Sequence, residues 1–380
     1  MRRFIKNIIL YIPFFGKKYI KSRVNNGSLV SIENIHLNIE KANKVFLDKK
    51  ISSNLTIGLV KDGETDFDGI ITNRAYYPKY ERFLRNNNIC FEFYNIYASN
   101  WIQIAEKYDI IIWHTQSDPA TQQMAKSKIH FLEKVMNKTC IPSFDEIWTY
   151  EDKINTHYLY QKYNLPEIPT FITFSKNEAI NYVNTTNYPF ISKITTGSSS
   201  FGVEIIKTKK QALKIVNEVF GSAGRKNYWP YQRQKNYVYF QNFIPNASYD
   251  LRVMVVGKKL FGYYRYPKKG DFKASGAGIV EKKEIPAEAL ELAYQTKKAF
   301  NANFLATDML YDEIKKKFFI IESSIFIGID TCEQLVVNGN AGYYQRLSES
   351  DFQFNEGRFW IQELVLKEVF EKKIILRQMY

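Results

Sequence analysis

The sequence predicts a mixed α/β (α+β) chain that changes style along its length, and three observations carry that expectation. Short apolar runs alternate with helical stretches from about residue 52 to residue 142, the pattern of a parallel sheet with helices between its strands. From Tyr237 onward the runs lengthen and pair through tight turns such as Gly257-Lys258, so antiparallel sheet dominates there. The composition is globular: of 380 residues, 45% are hydrophobic and 24% charged, enough apolar surface to offset the entropy of ordering the chain. Four segments are expected: a basic N-terminal stretch over 1–50, a parallel-sheet unit over 51–144, a mixed unit over 145–235, and a strand-rich unit with a C-terminal helix over 236–380.

The opening MRRFIKNIILYIPFFGKKYIKSR is basic with an apolar middle. Lys6 interrupts the apolar stretch, Pro13 breaks it and no small-x-small cleavage site follows, so it does not read as a signal peptide. Two readings stay open for residues 1–23: a capping helix packed on the body or on another subunit, and an interfacial helix. The second would set Phe4, Ile8, Ile9, Phe14 and Phe15 among lipid chains while Arg2, Arg3, Lys17 and Lys18 meet anionic headgroups. Residues 56–61 (TIGLVK) form a buried strand ending in the Asp62-Gly63 turn, followed by a helix over 77–86 and a strand over 90–96. A strand over 109–114 (DIIIWH), a helix over 122–137 and a short strand over 139–142 complete the unit. No GxGxxG follows the first strand, so no dinucleotide site is expected. Residues 145–163 read as one helix, 165–169 as an extended linker, 170–174 as a strand and 177–184 as a helix. Strands at 190–193 and 203–207 flank the loop 195–202 (TTGSSSFG). Longer strands follow at 237–244, 251–256 and 259–266, then a helix at 287–301 and strands at 306–311 and 317–322. The tail, 351–373, reads as helical, with Trp360, Leu364, Val365 and Phe370 on one stripe.

Several classes are excluded at this point. No apolar run reaches the roughly 20 residues that a membrane-spanning helix needs. Cys90, Cys140 and Cys332 are odd in number and widely spaced, fitting neither a disulfide framework nor a zinc knuckle, and a reducing, cytoplasmic location follows. The interfacial reading of the N-terminal segment would add a peripheral place at the inner face of the membrane. A formal charge of +14 and 16% aromatic residues would suit nucleic acid or another anion, but the lysines are scattered along the whole chain and no specific nucleic-acid partner is expected.

Three local features carry chemistry. The strand–loop–strand over 190–207 exposes backbone N–H groups and hydroxyls that can wrap phosphate oxygens, with Lys193 placed just before the loop; a solvated hairpin tip is the plainer reading. Asp308 (ATDML) and Glu322 (FIIESS) interrupt or end apolar strands, where a charge is costly unless it is paired or meets a cation. Two such carboxylates near a phosphate loop suit Mg²⁺, and strand-end charges facing solvent are the alternative. Arg252 (DLRV), Arg265 (YYRY) and Lys273 (DFKASGAG) could clamp a transferring phosphoryl group and a tetrahedral oxyanion, or could be surface charges. His114 and Gln116 follow the DIIIWH strand, at the carboxyl end where a parallel sheet meets its ligands, as substrate contacts or as a structural turn.

The order of these pieces resembles the ATP-grasp superfamily, and within it the glutathione-synthetase-like and RimK-like carboxylate–amine ligases. The segments that carry the likeness are EDKINTHYLYQKYNLPEIPTFITF, FISKITTGSSSFGVEII, YVYFQNFIPNASYDLRVMVVGKKLFGYYR, DFKASGAGIV and FLATDMLYD with FFIIESSIFIG, spread over about 150–328. The preceding parallel sheet is similar to the family's Rossmann-like domain. The resemblance implies ATP and one or two Mg²⁺ ions as cofactors. It implies that Lys153 and Lys193 contact the nucleotide, that Gln241, Asn242, Phe243 and Ile244 form the adenine hinge, and that Ser198, Ser199, Ser200 and Gly202 fold over the phosphates. Asp308, Glu322 and Ser324 would hold the metal, Arg252 and Arg265 would steady the γ-phosphate and the acyl phosphate, and Lys273, Ser275 and Gly276 would border the acceptor carboxylate. Ser324 stands where the family usually has Asn, which points to weaker binding of a second ion. The implied reaction joins a carboxylate to an amine through an acyl phosphate; the basic, aromatic-rich composition with an interfacial reading of the first segment suits a large anionic substrate, a sugar acid of a lipid-linked or polysaccharide precursor or an acidic peptide. A kinase of a small polyol and a non-catalytic nucleotide-binding homologue are the alternatives, and a homodimer is compatible with either.

Overall fold

The computed structural model describes residues 29–49, 55–63, 70–72, 75–197, 202–227, 229, 231–275, 277–329 and 331–375. The basic segment 1–23 lies outside them. Among the described residues no helix is long and apolar enough to cross a membrane.

A short pair, β1 (Leu29–Ser31) with α1 (Ile32–Ile39) after it, precedes the parallel sheet. That sheet holds β2 (Ile57–Leu59), β4 (Phe91–Phe93), β5 (Ile110–Ile112) and β6 (Thr139–Ile141) in the order β4-β2-β5-β6, while β3 (Ile70–Thr72) pairs back with β1. Strands β2 and β5 are buried throughout, which is why they read as unbroken apolar runs rather than alternating ones. Helices α2 (Tyr77–Asn86), α3 (Trp101–Ala105) and α4 (Pro119–Lys134) make the crossovers. The first of them is capped from a distance: the Asp62 carboxylate accepts from the backbone of Tyr76 (3.0 Å) and Tyr77 (2.7 Å).

The single helix expected over 145–163 is two, α5 (Phe144–Thr149) and α6 (Lys153–Lys162). Glu151 between them takes a φ of 50°, and the Asp152 carboxylate caps α6 by accepting from Asn155 N at 3.2 Å. Strands β7 (Thr170–Thr173), β8 (Phe190–Ser192), β9 (Glu204–Ile206) and β12 (Val238–Asn242) form an antiparallel sheet in the order β7-β12-β8-β9, with a two-stranded ribbon, β10 (Arg225–Lys226) and β11 (Arg233–Gln234), beside it. Its core packs on α7 (Lys176–Thr185) and on α8 (Lys209–Val219) through Val183, Phe190, Ala212, Val216 and Phe240. Helix α8 is absent from the sequence expectations, although Ala212, Ile215, Val216 and Val219 stand at helical spacing.

The largest sheet runs β17-β16-β13-β14-β19-β18, from β13 (Asp250–Val256), β14 (Lys259–Tyr266), β16 (Phe304–Asp312), β17 (Lys317–Ser324), β18 (Val336–Val337) and β19 (Asn340–Ser348), with β15 (Ile279–Glu281) on β14 and β20 (Asp351–Glu356) on β19. Helix α9 (Ala287–Ala299) packs against β13 and β16. The tail corrects the helical expectation over 351–373. Its first part, DFQFNE, alternates with period two and pairs with β19, and only α10 (Ile361–Val369) and the π-turn Phe370–Ile375 are helical. Helix α10 returns to the start of the molecule. Trp360, 1% exposed, donates its indole N–H to Ile39 O at 2.9 Å, and Glu363 pairs with Arg82 of α2 at 2.6 Å.

Candidate active site

Strand register builds the centre of the site. Asp308 on β16 stands directly opposite Arg252 on β13 and Glu322 on β17, Arg252 stands opposite Tyr263 on β14, and Asp250 stands opposite Arg265. Directly paired residues point to one face, so these side chains form a continuous row on the same side of the sheet. A β-bulge between Asp308 and Met309 adjusts the row at its acidic end.

The row is knitted by ion pairs. Arg252 grips Asp308 with Nε and Nη2, both at 2.7 Å, and Arg265 Nη2 reaches Asp308 at 2.6 Å while also pairing with Asp250. Burial alone would raise Asp308, but the two guanidiniums overcome it and hold the carboxyl well below the usual range. Asp250 answers the other way, driven by burial up to about 6 despite Arg265. Asp250 Oδ1 and Arg265 Nε are buried without a partner among the described residues, one acceptor and one donor left over for a ligand.

Beside the row, Lys153 is placed by the first turn of α6. Its ammonium lies 2.9 Å from Glu322 Oε1 and donates to Gly197 O at 2.7 Å, and its backbone N–H donates to Thr195 O at 3.0 Å. Burial works against its charge, yet Glu322 and Glu151 hold its pKa above the ordinary lysine value. Lys193, 4% exposed, makes no ion pair among the described residues, and burial brings it down to about 8. The buried Gln241 donates to Thr170 Oγ1 at 2.9 Å, the ladder of β12 ends at Asn242, and Phe243 and Ile244 follow it along the wall.

All of these groups line one cleft of about 800 Å³, open between the parallel sheet, the four-stranded sheet and the large sheet. Of the residues singled out in the sequence, Lys153, Lys193, Gln241, Asn242, Phe243, Ile244, Arg252, Arg265, Lys273, Ser275, Asp308, Glu322, Ser324, His114 and Gln116 all face it. Gly202 lies outside the lining; its φ is 73° and an added Cβ would come within 2.5 Å of Ile194 Cδ1, so it sets the close packing of the hairpin. Ser198, Ser199, Ser200 and Gly276 lie outside the described residues. The Ser324 hydroxyl donates to Phe326 O at 2.6 Å and accepts from Phe326 N at 3.3 Å, so it closes a turn of its own chain. His114 is stacked on Tyr76 (centroids 3.7 Å apart, 16° between planes) and lies 4.0 Å from Phe326. Burial, with Lys79 nearby, keeps its imidazole neutral well below the usual histidine range. It is an aromatic wall of the cleft rather than a proton carrier.

Two residues of the lining escape a sequence reading. Asp250 had a usable signal, since it precedes Arg252 by two in DLRV and therefore shares its face. Glu151 had none: its placement depends on the left-handed turn between α5 and α6. Burial drives Glu151 up to about 7, against the pull of Lys153 and with the push of Glu322, and its Oε2 has no partner among the described residues.

Among the described residues no three His, Cys, Asp or Glu side chains converge on one point. The paired Asp308 and Glu322 are an all-oxygen, incomplete donor set, which fits Mg²⁺ when nucleotide phosphates and water supply the remaining ligands.

Known proteins share this architecture. The RimK-like ATP-grasp domain matches residues 150–341. The alpha-aminoadipate–LysW ligase LysX of Saccharolobus solfataricus is 30% identical over 166 residues, which cover 43% of this chain and 57% of that protein. Its counterpart in Sulfurisphaera tokodaii is 25% identical over 169 residues, covering 43% of this chain and 55% of that one. The chain thus spans little more than half the length of these curated relatives. Among solved structures, D-cycloserine synthetase DcsG superposes with a TM-score of 0.51 at 13% identity, over 71% of this chain and 91% of that chain. The ADP complex of N5-carboxyaminoimidazole ribonucleotide synthetase gives 0.50 at 13% identity, over 76% of each. At such identities the likeness concerns the fold.

Proposed function

Because this chain belongs to the RimK-like ATP-grasp family, we propose that it is an ATP-dependent carboxylate–amine ligase that works through an acyl phosphate. The observation that supports the reading best is the single row Glu322–Asp308–Arg252 with Arg265, which lines one cleft together with Lys153 and Lys193. A carboxylate oxygen attacks the γ-phosphorus of ATP, the bond to the β–γ bridging oxygen breaks, and ADP leaves. The amine then attacks the acyl carbon and expels phosphate, giving the amide and releasing a proton.

The protein's part is positioning and charge neutralisation. Lys153 and Lys193 meet the phosphates, the backbone over 241–244 reads the adenine edge, and the loop closed by Gly202 covers the phosphate tail. Asp308 and Glu322 would hold Mg²⁺, which neutralises phosphate charge when bound. Arg252 and Arg265 stay aimed at the phosphoryl group because Asp308 and Asp250 fix their planes. Lys273 and Ser275 border the acceptor, and His114 and Gln116 form the far wall. The carboxylate is a sugar acid of a polysaccharide precursor or a peptide, and the cytoplasm supplies the ATP.

Hydroxylamine trapping tests the reaction. Incubation with ATP, Mg²⁺ and a pool of carboxylates should yield a hydroxamate and ADP; ADP release with a phosphorylated alcohol and no hydroxamate would mark a kinase instead. The Ser324–Phe326 turn favours one second reading, a protein that binds nucleotide without turnover. In that case Mg-ATP still raises the melting temperature, by about 2.7 kcal/mol of stability at a hundredfold excess over Kd, with neither product formed.

A further inference from the structure

Behind the far wall of the cleft lies a second, smaller chamber of about 30 Å³, where the parallel sheet, the end of β17 and helix α10 meet. Tyr76, His114, Phe326 and Ile327 face both spaces, so the partition is one side chain thick. The walls are mostly apolar, with Ile141, Phe304, Ile325, Ile361 and Val365 among them. Into this lining α10 brings Gln362, 3% exposed, whose amide nitrogen and amide oxygen both lack a partner among the described residues. His114 Nδ1 is also buried and without a partner among them. An amide left with neither donor nor acceptor satisfied carries a desolvation cost that a core position would ordinarily remove by substitution.

We infer that this chamber is a specificity pocket of the same site, which receives a short uncharged arm of the carboxylate substrate ending in a hydroxyl. Gln362 can donate to and accept from one such group at once. A charged arm does not fit. Glu146, the charged group in the lining, already accepts from Ser143 N, Asn303 N and Asn303 Nδ2 at 2.9, 2.6 and 3.0 Å. The volume limits the arm as well, since a cavity needs about 10–15 Å³ per water-sized group, leaving room here for two such groups. A purely apolar arm would leave the Gln362 amide unpaired and is disfavoured for that reason. The inference rests on the ligase reading, because it assigns the arm to the molecule that is activated in the cleft.

Two measurements on the full chain test it. Wild-type crystals soaked in methanol should show its hydroxyl hydrogen-bonded to Gln362 inside the chamber, and only water there would overturn the assignment. Hydroxamate formation is then compared for 3-hydroxypropionate and butyrate in the wild type and in Gln362→Met, which keeps the volume and removes both polar atoms. The preference for 3-hydroxypropionate over butyrate should fall about tenfold or more in the variant. A ratio that stays within about twofold, from an enzyme that does make hydroxamates, removes the pocket and leaves the ligase standing. If the wild type makes no hydroxamate from any carboxylate, the ligase reading falls and the soak alone decides the chamber.

Discussion

Lys193 and Glu322 show how single side chains here depend on what surrounds them. Lys193 has a free-protein pKa of about 8, whereas its complex with a triphosphate favours the charged ammonium. Nucleotide binding therefore takes up a proton above pH 8, and affinity falls with rising pH by up to about tenfold per unit until the pKa of the complex is passed. Titration calorimetry with ADP at pH 7, 8 and 9 should show that slope, and Lys193→Arg, charged throughout, should flatten it. Glu322→Gln should lower hydroxamate formation by about a hundredfold or more with the circular dichroism spectrum unchanged; full turnover in the variant would take Glu322 out of the metal site. Glu322 stood out in the chain because a charge at the end of an apolar strand, as in FIIESS, has to be explained, and Lys193 because it stands just before the loop TTGSSSFG. Asp62 and Glu151 did not, since a turn acidic residue looks the same in sequence whether it caps a distant helix, lines a cleft or meets solvent.

At the scale of elements, the hairpin of β8 and β9 carries the proposed contact with phosphate. Gly202→Ala adds a methyl at a φ of 73° against Ile194, so the strand after the loop must shift. Its melting temperature should rise on adding Mg-ATP by less than half the wild-type increment, and an undiminished increment would free the loop of any role with phosphate. Most strands were legible from their apolar runs. The helix at Lys209–Val219 was not singled out, because its polar first turn KKQ hides the stripe that follows, and β20 was drawn into the apolar stripe of the helix that follows it, although DFQFNE alternates at period two. The break between α5 and α6 was marked only by Asp152, a capping residue in the middle of an otherwise continuous helical pattern.

In the whole molecule, the cleft exists because three sheets are held at fixed places, and the tail does much of the holding. Removing the Trp360 ring, which is buried between α1 and α2, should cost about 3–5 kcal/mol in urea unfolding, and a loss under 1 kcal/mol would mean that the tail is dispensable. Proximity of this kind, between residues 321 apart for Ile39 and Trp360 and 281 apart for Arg82 and Glu363, leaves no trace in periodicity or spacing. The same return of the tail has a bearing on biosynthesis. The ribosome releases α2 long before α10, so Phe83, which ends up beside Phe370, emerges without its cover. For most of translation the first sheet is an unfinished building with one outer wall missing, and a nascent chain in that state is a natural client for chaperones.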